Sequence, residues 1–153
     1  MNSSELIWKP HVTVAAVAED NGCFLLVEER IDGAAVLNQP AGQLEDGEDL
    51  LAAVIRETLE ETAWHFRPEA LVGLYRWRQP KAGSTYLRFT FAGSCTGHEA
   101  DRPLDTDIER ALWLSPGEIR RQENSLRSPM VLRSIEDYLA GHAYPLSLIN
   151  DVE

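Results

Sequence analysis

Apolar and polar positions change rhythm several times along the chain, and each rhythm implies an element. His11-Val12-Thr13-Val14-Ala15-Ala16-Val17 is β-branched and small, which predicts a strand. Asp20-Asn21-Gly22 supplies a hairpin turn, and residues 23–29 predict the returning strand. Residues 31–37 lead to a turn at Gln39-Pro40-Ala41-Gly42. From about Glu48 to Trp64 the spacing becomes three and four. Leu51, Val54, Ile55, Thr58, Leu59 and Thr62 form one mostly apolar stripe, which predicts an amphipathic helix lying on a sheet. Pro68 is expected to prevent its continuation.

Residues 71–79 and 85–95 read as partner strands around a turn at Pro80-Lys81-Ala82-Gly83-Ser84. A polar loop over residues 97–107 precedes a further strand at residues 108–114. Ser115-Pro116-Gly117-Glu118 has the form of a helix start, with Ser115 as N-cap, Pro116 in the first turn and Glu118 completing a capping box. Ser128-Pro129 repeats the signal for a last helix running to about Ala140, with Gly141 to end it. Residues 1–4 read as a frayed end. No repeat or linker interrupts the chain, so one domain over residues 1–153 is expected. The order of elements lacks a doubly wound βαβ rhythm. It suits an α/β fold of the α+β kind, a mixed sheet between helices.

The helix carries a second pattern. Glu57, Glu60 and Glu61 stand at i, i+3 and i+4, so a helix projects all three from one face within about 60° of each other. Two carboxylates near 5 Å apart repel by on the order of 3 kcal/mol at an effective dielectric of about 20. A hard divalent cation reverses that sign, because such ions take oxygen ligands. Upstream, Glu45, Asp46 and Glu48 lie near the helix N-terminus, where the helix dipole favours anions. Gly42 has no Cβ, so backbone and ligand can approach closely there.

These residues resemble the Nudix box, G-x5-E-x7-R-E-U-x-E-E-x-G-U, where U is a bulky apolar residue. Gly42 is the first glycine, Glu48 follows at the required spacing, then Arg56-Glu57 and Glu60-Glu61, and Trp64 fills the last bulky position. Two positions depart: Thr58 stands where an aliphatic residue is usual, and Ala63 replaces the second glycine. Thr58 can still pack by its methyl group. If position 63 needs a left-handed backbone, alanine there costs about 1–2 kcal/mol. A lone Glu-x-x-Glu-Glu is more often a solvated acidic face; Gly42, Glu48 and Arg56 in register with it favour a site.

The resemblance implies a central mixed sheet sandwiched by helices and a metal-dependent hydrolase that cleaves a diphosphate linked to another moiety, with Mg²⁺ or Mn²⁺. It implies Glu57, Glu60 and Glu61 as metal ligands, with the Gly42 carbonyl beside them. Arg56 and Glu48 would orient the carboxylates. Glu61 is the first choice for general base, with Asp107 or Glu109 as loop acids that could serve instead.

Further stretches resemble the NudJ-like branch of this family: Lys9-Pro10-His11-Val12-Thr13-Val14-Ala15, Asn38-Gln39-Pro40-Ala41-Gly42, Leu87-Arg88-Phe89, Leu126-Arg127-Ser128-Pro129 and Tyr144-Pro145-Leu146. That branch implies release of orthophosphate from nucleoside di- and triphosphates and from the pyrophosphorylated pyrimidine precursor of thiamin. Two other readings stand beside it: a triphosphate pyrophosphohydrolase releasing pyrophosphate, and a Nudix-fold nucleotide sensor that binds without cutting. The retained box acids weigh against the sensor. Trp77 or Tyr86 could stack on a nucleobase, and Arg76 or Arg88 could hold phosphate. Successive strand residues point to opposite faces, so Arg76 and Trp77 cannot share a pocket on a regular strand.

Charge and composition narrow the partners. A net charge of −11 argues against nucleic acid as a partner, while a local metal still admits a small phosphorylated substrate. Cys23 and Cys95 sit in apolar, strand-like surroundings and read as buried free thiols. His11, at a strand start, reads as an ordinary polar residue. No leader pattern and no apolar run of spanning length is seen, so a cytoplasmic protein with no membrane partner is expected, as a monomer or homodimer.

Overall fold

The computed structural model describes residues 7–153, and the frayed end expected at residues 1–4 lies outside them. Among the described residues seven strands and three α-helices follow in the order β1 (His11–Asp20), β2 (Cys23–Ile31), β3 (Ala34–Asn38), β4 (Ala41–Gln43), α1 (Leu50–Thr62), β5 (Trp64–Arg78), β6 (Thr85–His98), β7 (Ile108–Leu114), α2 (Pro116–Arg121) and α3 (Pro129–Leu139).

The sheet is mixed. Its main path runs β3-β2-β1-β6-β5, with β4 paired to β1 and β7 to β2. β1 and β6 run parallel, in register from His11 opposite Tyr86 to Ala18 opposite Gly93. The remaining pairings are antiparallel. Period-two alternation sends neighbouring side chains to opposite faces. On one face Val17, Phe24 and Leu26 meet Ile119 of α2 and Val131 and Ile135 of α3. On the other, Val14, Ala16, Ala18 and Leu25 meet Ala53 and Val54 of α1. The sheet is thus sandwiched between helices, as the sequence implies.

Two hairpins share one device. Asn21 and Gly22 have φ of 50° and 78°, the two positive values that a tight two-residue turn requires. Asp32 and Gly33 repeat it at 50° and 81°, so the stretch read only as a lead into a turn is a second hairpin ending in β3. The turn expected at residues 39–42 is shorter, because Ala41–Gln43 pairs with Thr13–Ala15 of β1.

α1 is shorter than expected at both ends. Asp49 caps it, its carboxylate accepting the Ala52 N–H at 2.7 Å. Ala63 ends it in the left-handed region, φ 63° and ψ 13°, with its N–H donated to the Leu59 carbonyl at 2.9 Å. The chain therefore turns straight into β5, and Pro68, expected to stop a helix, lies inside that strand beside an irregularity at Pro68/Ala70. The buried face of α1 is also rotated from the expected stripe. Ile55 is exposed, while Ala53, Val54, Thr58, Glu61 and Thr62 are buried. Thr58 and Thr62 fit there by donating their hydroxyls to the Val54 and Thr58 carbonyls. Ser115 and Glu118 form the expected capping box on α2, and Ser128 caps α3. Cys23 and Cys95 are free and partly rather than fully buried.

Candidate active site

Pairing of β4 with β1 brings the turn before α1 against the middle of that helix. Gly42 and Glu57 meet there so closely that a Cβ on Gly42 would overlap the Glu57 carboxyl group. Arg56 ties the surroundings together. Its Nε and Nη2 donate to the two oxygens of Glu48, both at 2.8 Å, a bidentate pair. Its Nη1 donates to Glu57 at 2.9 Å and Glu60 at 3.1 Å, and its Nη2 also to the Gln43 carbonyl at 3.1 Å. The Arg56 bond holds the Glu48 carboxyl below its usual range. The Glu48 bond, first among several acid contacts, raises the Arg56 guanidinium further still. Burial pushes Glu57 up, against the pull of Arg56.

The three glutamates expected to converge do not all point to one place in the structure. Carboxylate oxygens of Glu57, Glu60 and Asp105 all lie within 4.8 Å of one another. These hard oxygen donors fit a divalent cation such as Mg²⁺, and the Gly42 cradle, which a Cβ would fill, leaves backbone beside them. Glu61 instead turns inward. It is 7 % exposed and accepts the Ala41 N–H at 2.8 Å. Burial, opposed by that bond and reinforced by Glu57, Glu29 and Asp105, pushes its carboxyl up to about 9.

Asp105 is the residue that sequence reasoning passed over. It stood among several acids of the polar loop, and no local signal separates it from Asp107. What selects it is tertiary: its N–H donates to the Glu60 carbonyl at 3.0 Å, which folds the loop back over the end of α1. Asp107 lines an acidic cavity of about 360 Å³ together with Glu29, Glu61, Asp105 and Arg127. Glu109 is outside that lining and pairs with Arg30 at 3.0 Å.

A second cavity, about 420 Å³, adjoins the first through Glu29, Ile31 and Arg127. Gly42, Asn38, Trp77, Tyr86 and Arg88 also line it. The register explains which expected side chains converge. Trp77 is opposite Tyr86 and Tyr75 opposite Arg88, so these four share a face, while Arg76 pairs with Leu87 on the other face and lines neither cavity. The Trp77 and Tyr86 rings stack at 5.9 Å, and His11 stacks on Tyr86 at 5.0 Å. Arg88 is 4 % exposed. Its Nη2 donates to Asn38 at 3.0 Å and Gln39 at 2.8 Å, and its Nε is buried without a partner. Burial lowers its pKa to about 10, against the attraction of Glu61 and Glu29.

The NUDIX domain family matches residues 9–133, a span that includes the whole acidic helix and both cavity walls. The chain belongs to the Nudix family. Phosphatase NudJ of Escherichia coli (strain K12) is 43% identical over 145 residues, covering 95% of this chain and 94% of that protein. The protein of the same name from Shigella boydii gives the same identity and coverage. Among solved structures, a NUDIX hydrolase from Nitrosomonas europaea is 51% identical, with a TM-score of 0.92 over 94% of this chain and 98% of that one. A UDP-X diphosphatase, at 15% identity and TM-score 0.73, shares the fold. The chain is therefore a NudJ-like Nudix hydrolase, an enzyme acting on phosphorus anhydrides. Nudix hydrolases act on small nucleotide substrates with divalent metals, and the acidic cluster beside Gly42 supplies suitable oxygens. Among the described residues no helix is long and apolar enough to cross a membrane.

Proposed function

We propose that this Nudix hydrolase removes orthophosphate from nucleoside di- and triphosphates and related pyrophosphates, among them the pyrophosphorylated pyrimidine precursor of thiamin. The observation that carries this reading is the junction of two unlike cavities. One is acidic and adjoins the Glu57, Glu60 and Asp105 oxygens; the other holds an aromatic pair and a buried arginine. An anhydride with a ring at one end needs both. The phosphatase name of the curated relatives supports orthophosphate as the product.

Glu57, Glu60 and Asp105 would hold Mg²⁺ or Mn²⁺, with Glu61 and the Gly42 carbonyl at its margin. The bound cation would neutralise the phosphate oxygens that otherwise repel a nucleophile. The rest falls to the chain. Arg56 fixes two of the carboxylates and is itself fixed by Glu48. Trp77 and Tyr86 offer an aromatic platform for the ring, and Arg88 directs donors at phosphate. Water attacks the terminal phosphorus, the P–O anhydride bond breaks, and its electron pair goes to the bridging oxygen of the shortened nucleotide. Glu61, once ionised, would accept the proton of that water; in the metal-free fold its carboxyl is pushed up to about 9 and keeps its own proton, so this role requires the cation beside it. Asp107 lines the same cavity and is the other acid in reach. The protein acts without nucleic acid, in the cytoplasm, as a monomer or homodimer.

A panel of nucleoside di- and triphosphates and pyrophosphorylated metabolites, run with Mg²⁺ and typed by product, tests the reading. Orthophosphate is the expected product. Pyrophosphate from triphosphates would replace this reading with cleavage between the α and β phosphates. Tight binding without any turnover would replace it with a nucleotide sensor.

A further inference from the structure

We propose that Arg127 is a second anion-binding side chain of the cleft, stored on Glu29 until a substrate phosphate takes that carboxylate's place. The inference rests on the reading that the cleft receives a phosphorylated nucleotide, and it gives a role to the Leu126-Arg127-Ser128-Pro129 stretch, which the reaction as described leaves unused.

The backbone of this stretch is pinned. Arg127 donates its N–H to the Leu37 carbonyl at 2.8 Å, and Ser128 caps α3 by accepting the Met130 N–H at 3.2 Å. Only the side chain of Arg127 has freedom, and it stands at the seam: Glu29, Ile31 and Arg127 line both the acidic and the aromatic cavity. A substrate that fills both must pass this wall.

Its present partner is incomplete. Of the five N–H donors of the guanidinium, the described contacts use one, Nη1 to Glu29 at 2.8 Å. The Arg127 side chain is 44% exposed and that of Glu29 10%, so the arginine can leave while the carboxylate stays. Arg88, the other guanidinium of the cleft, lines the aromatic cavity alone, and its unmet Nε is buried. The unused donors of Arg127 match the several oxygens of a phosphate better than one carboxylate does. Glu29 then has a definite effect. It competes with the phosphate for Arg127, and its charge adds to the acids of the neighbouring cavity.

Equilibrium titration of cytidine monophosphate, and of cytidine as a phosphate-free control, tests this without added metal. The proteins are wild type, Arg127→Ala, Arg127→Lys and Glu29→Gln. Arg127→Ala should weaken the monophosphate about tenfold and leave the nucleoside unchanged, with Arg127→Lys between. Glu29→Gln should bind the monophosphate as tightly as wild type or more tightly. If the ion pair merely holds the loop in place, Glu29→Gln weakens the monophosphate as Arg127→Ala does, and the proposal is overturned. It is overturned equally by unchanged binding in Arg127→Ala, or by a wild type that does not prefer the monophosphate over cytidine. Turnover of a nucleoside diphosphate with Mg²⁺ is measured alongside. The expected binding pattern without turnover would remove the hydrolytic reading and leave Arg127 its role; turnover with unchanged Arg127→Ala binding would do the reverse.

Discussion

Gly42 and Glu57 occupy adjoining space so completely that no side chain fits on the former without moving the carboxyl group of the latter. The contact joins β4 to α1, and it sets where one of the three converging carboxylates stands. Glycine is thus required here for room and not for a left-handed backbone, since Gly42 is not among the glycines with positive φ.

Gly42→Ala should therefore damage chemistry and spare the fold. The group displaced is the far end of a flexible side chain, so the helix and strand can remain. We expect kcat to fall by about 10–100-fold, the scale of lost ligand orientation, with the thermal midpoint within about 3 °C of wild type. Metal affinity, read by titration with Mn²⁺, should fall with kcat. A variant that keeps full activity would show that the position of Glu57 is not critical.

The acids after β6 should separate sharply. Asp105 shares the oxygen cluster with Glu57 and Glu60, whereas Glu109 pairs with Arg30 at half-exposed positions. Asp105→Asn should weaken Mn²⁺ binding and lower kcat by at least about tenfold, while Glu109→Gln should alter both less than about twofold, as a surface ion pair warrants. Equal effects of the two changes would place the metal elsewhere.

The box helix was legible because its spacing is local: Gly42, Glu48, Arg56 and the glutamates keep their positions whatever the rest of the chain does. The start of α2 and the strand at Ile108–Leu114 were legible for the same reason. Asp105 was not, because a hydrogen bond from a distant loop to Glu60 chooses it among several acids. The inward turn of Glu61 was hidden too. An i+4 relation puts it near Glu57 on a helical wheel, but the sheet packs against one edge of that face and takes Glu61 with it. The hairpin at Asp32-Gly33 carries a turn signal in the sequence, but the strand after it, Ala34–Asn38, is too short to show a clear alternation.

Ala63 shows a departure from the box that the fold still accommodates. Its φ of 63° is the conformation the usual glycine would adopt freely. Ala63→Gly relieves strain but gives up a buried methyl group and gains chain entropy when unfolded, so we expect a stability change of less than about 1 kcal/mol. Ala63→Val, β-branched in the same conformation, should cost more than about 2 kcal/mol. Denaturant unfolding of the two variants measures this difference; equal stability would mean that the turn had moved out of the left-handed region.

Glu61 makes the metal-free protein sensitive to pH. Its carboxyl is pushed from an ordinary 4.5 up to about 9, by burial first. A carboxylate raised in this way holds its proton more tightly in the folded state than in the unfolded one. The associated stability is present in full below 4.5 and is lost as pH rises towards 9, because across that window the folded chain binds the extra proton. The effect should be on the order of a few kcal/mol. Urea unfolding without metal at about pH 5, 7 and 9 should show wild type losing stability steadily, and Glu61→Gln, which has no proton to lose, following a flatter course. Adding Mg²⁺ at high pH should stabilise both proteins, which keep Glu57, Glu60 and Asp105, but wild type by more, since only there does the Glu61 charge regain a favourable place. Parallel curves for the two proteins would mean that Glu61 is ionised at neutral pH even without a cation, and that the hydrogen bond from Ala41 alone outweighs its burial.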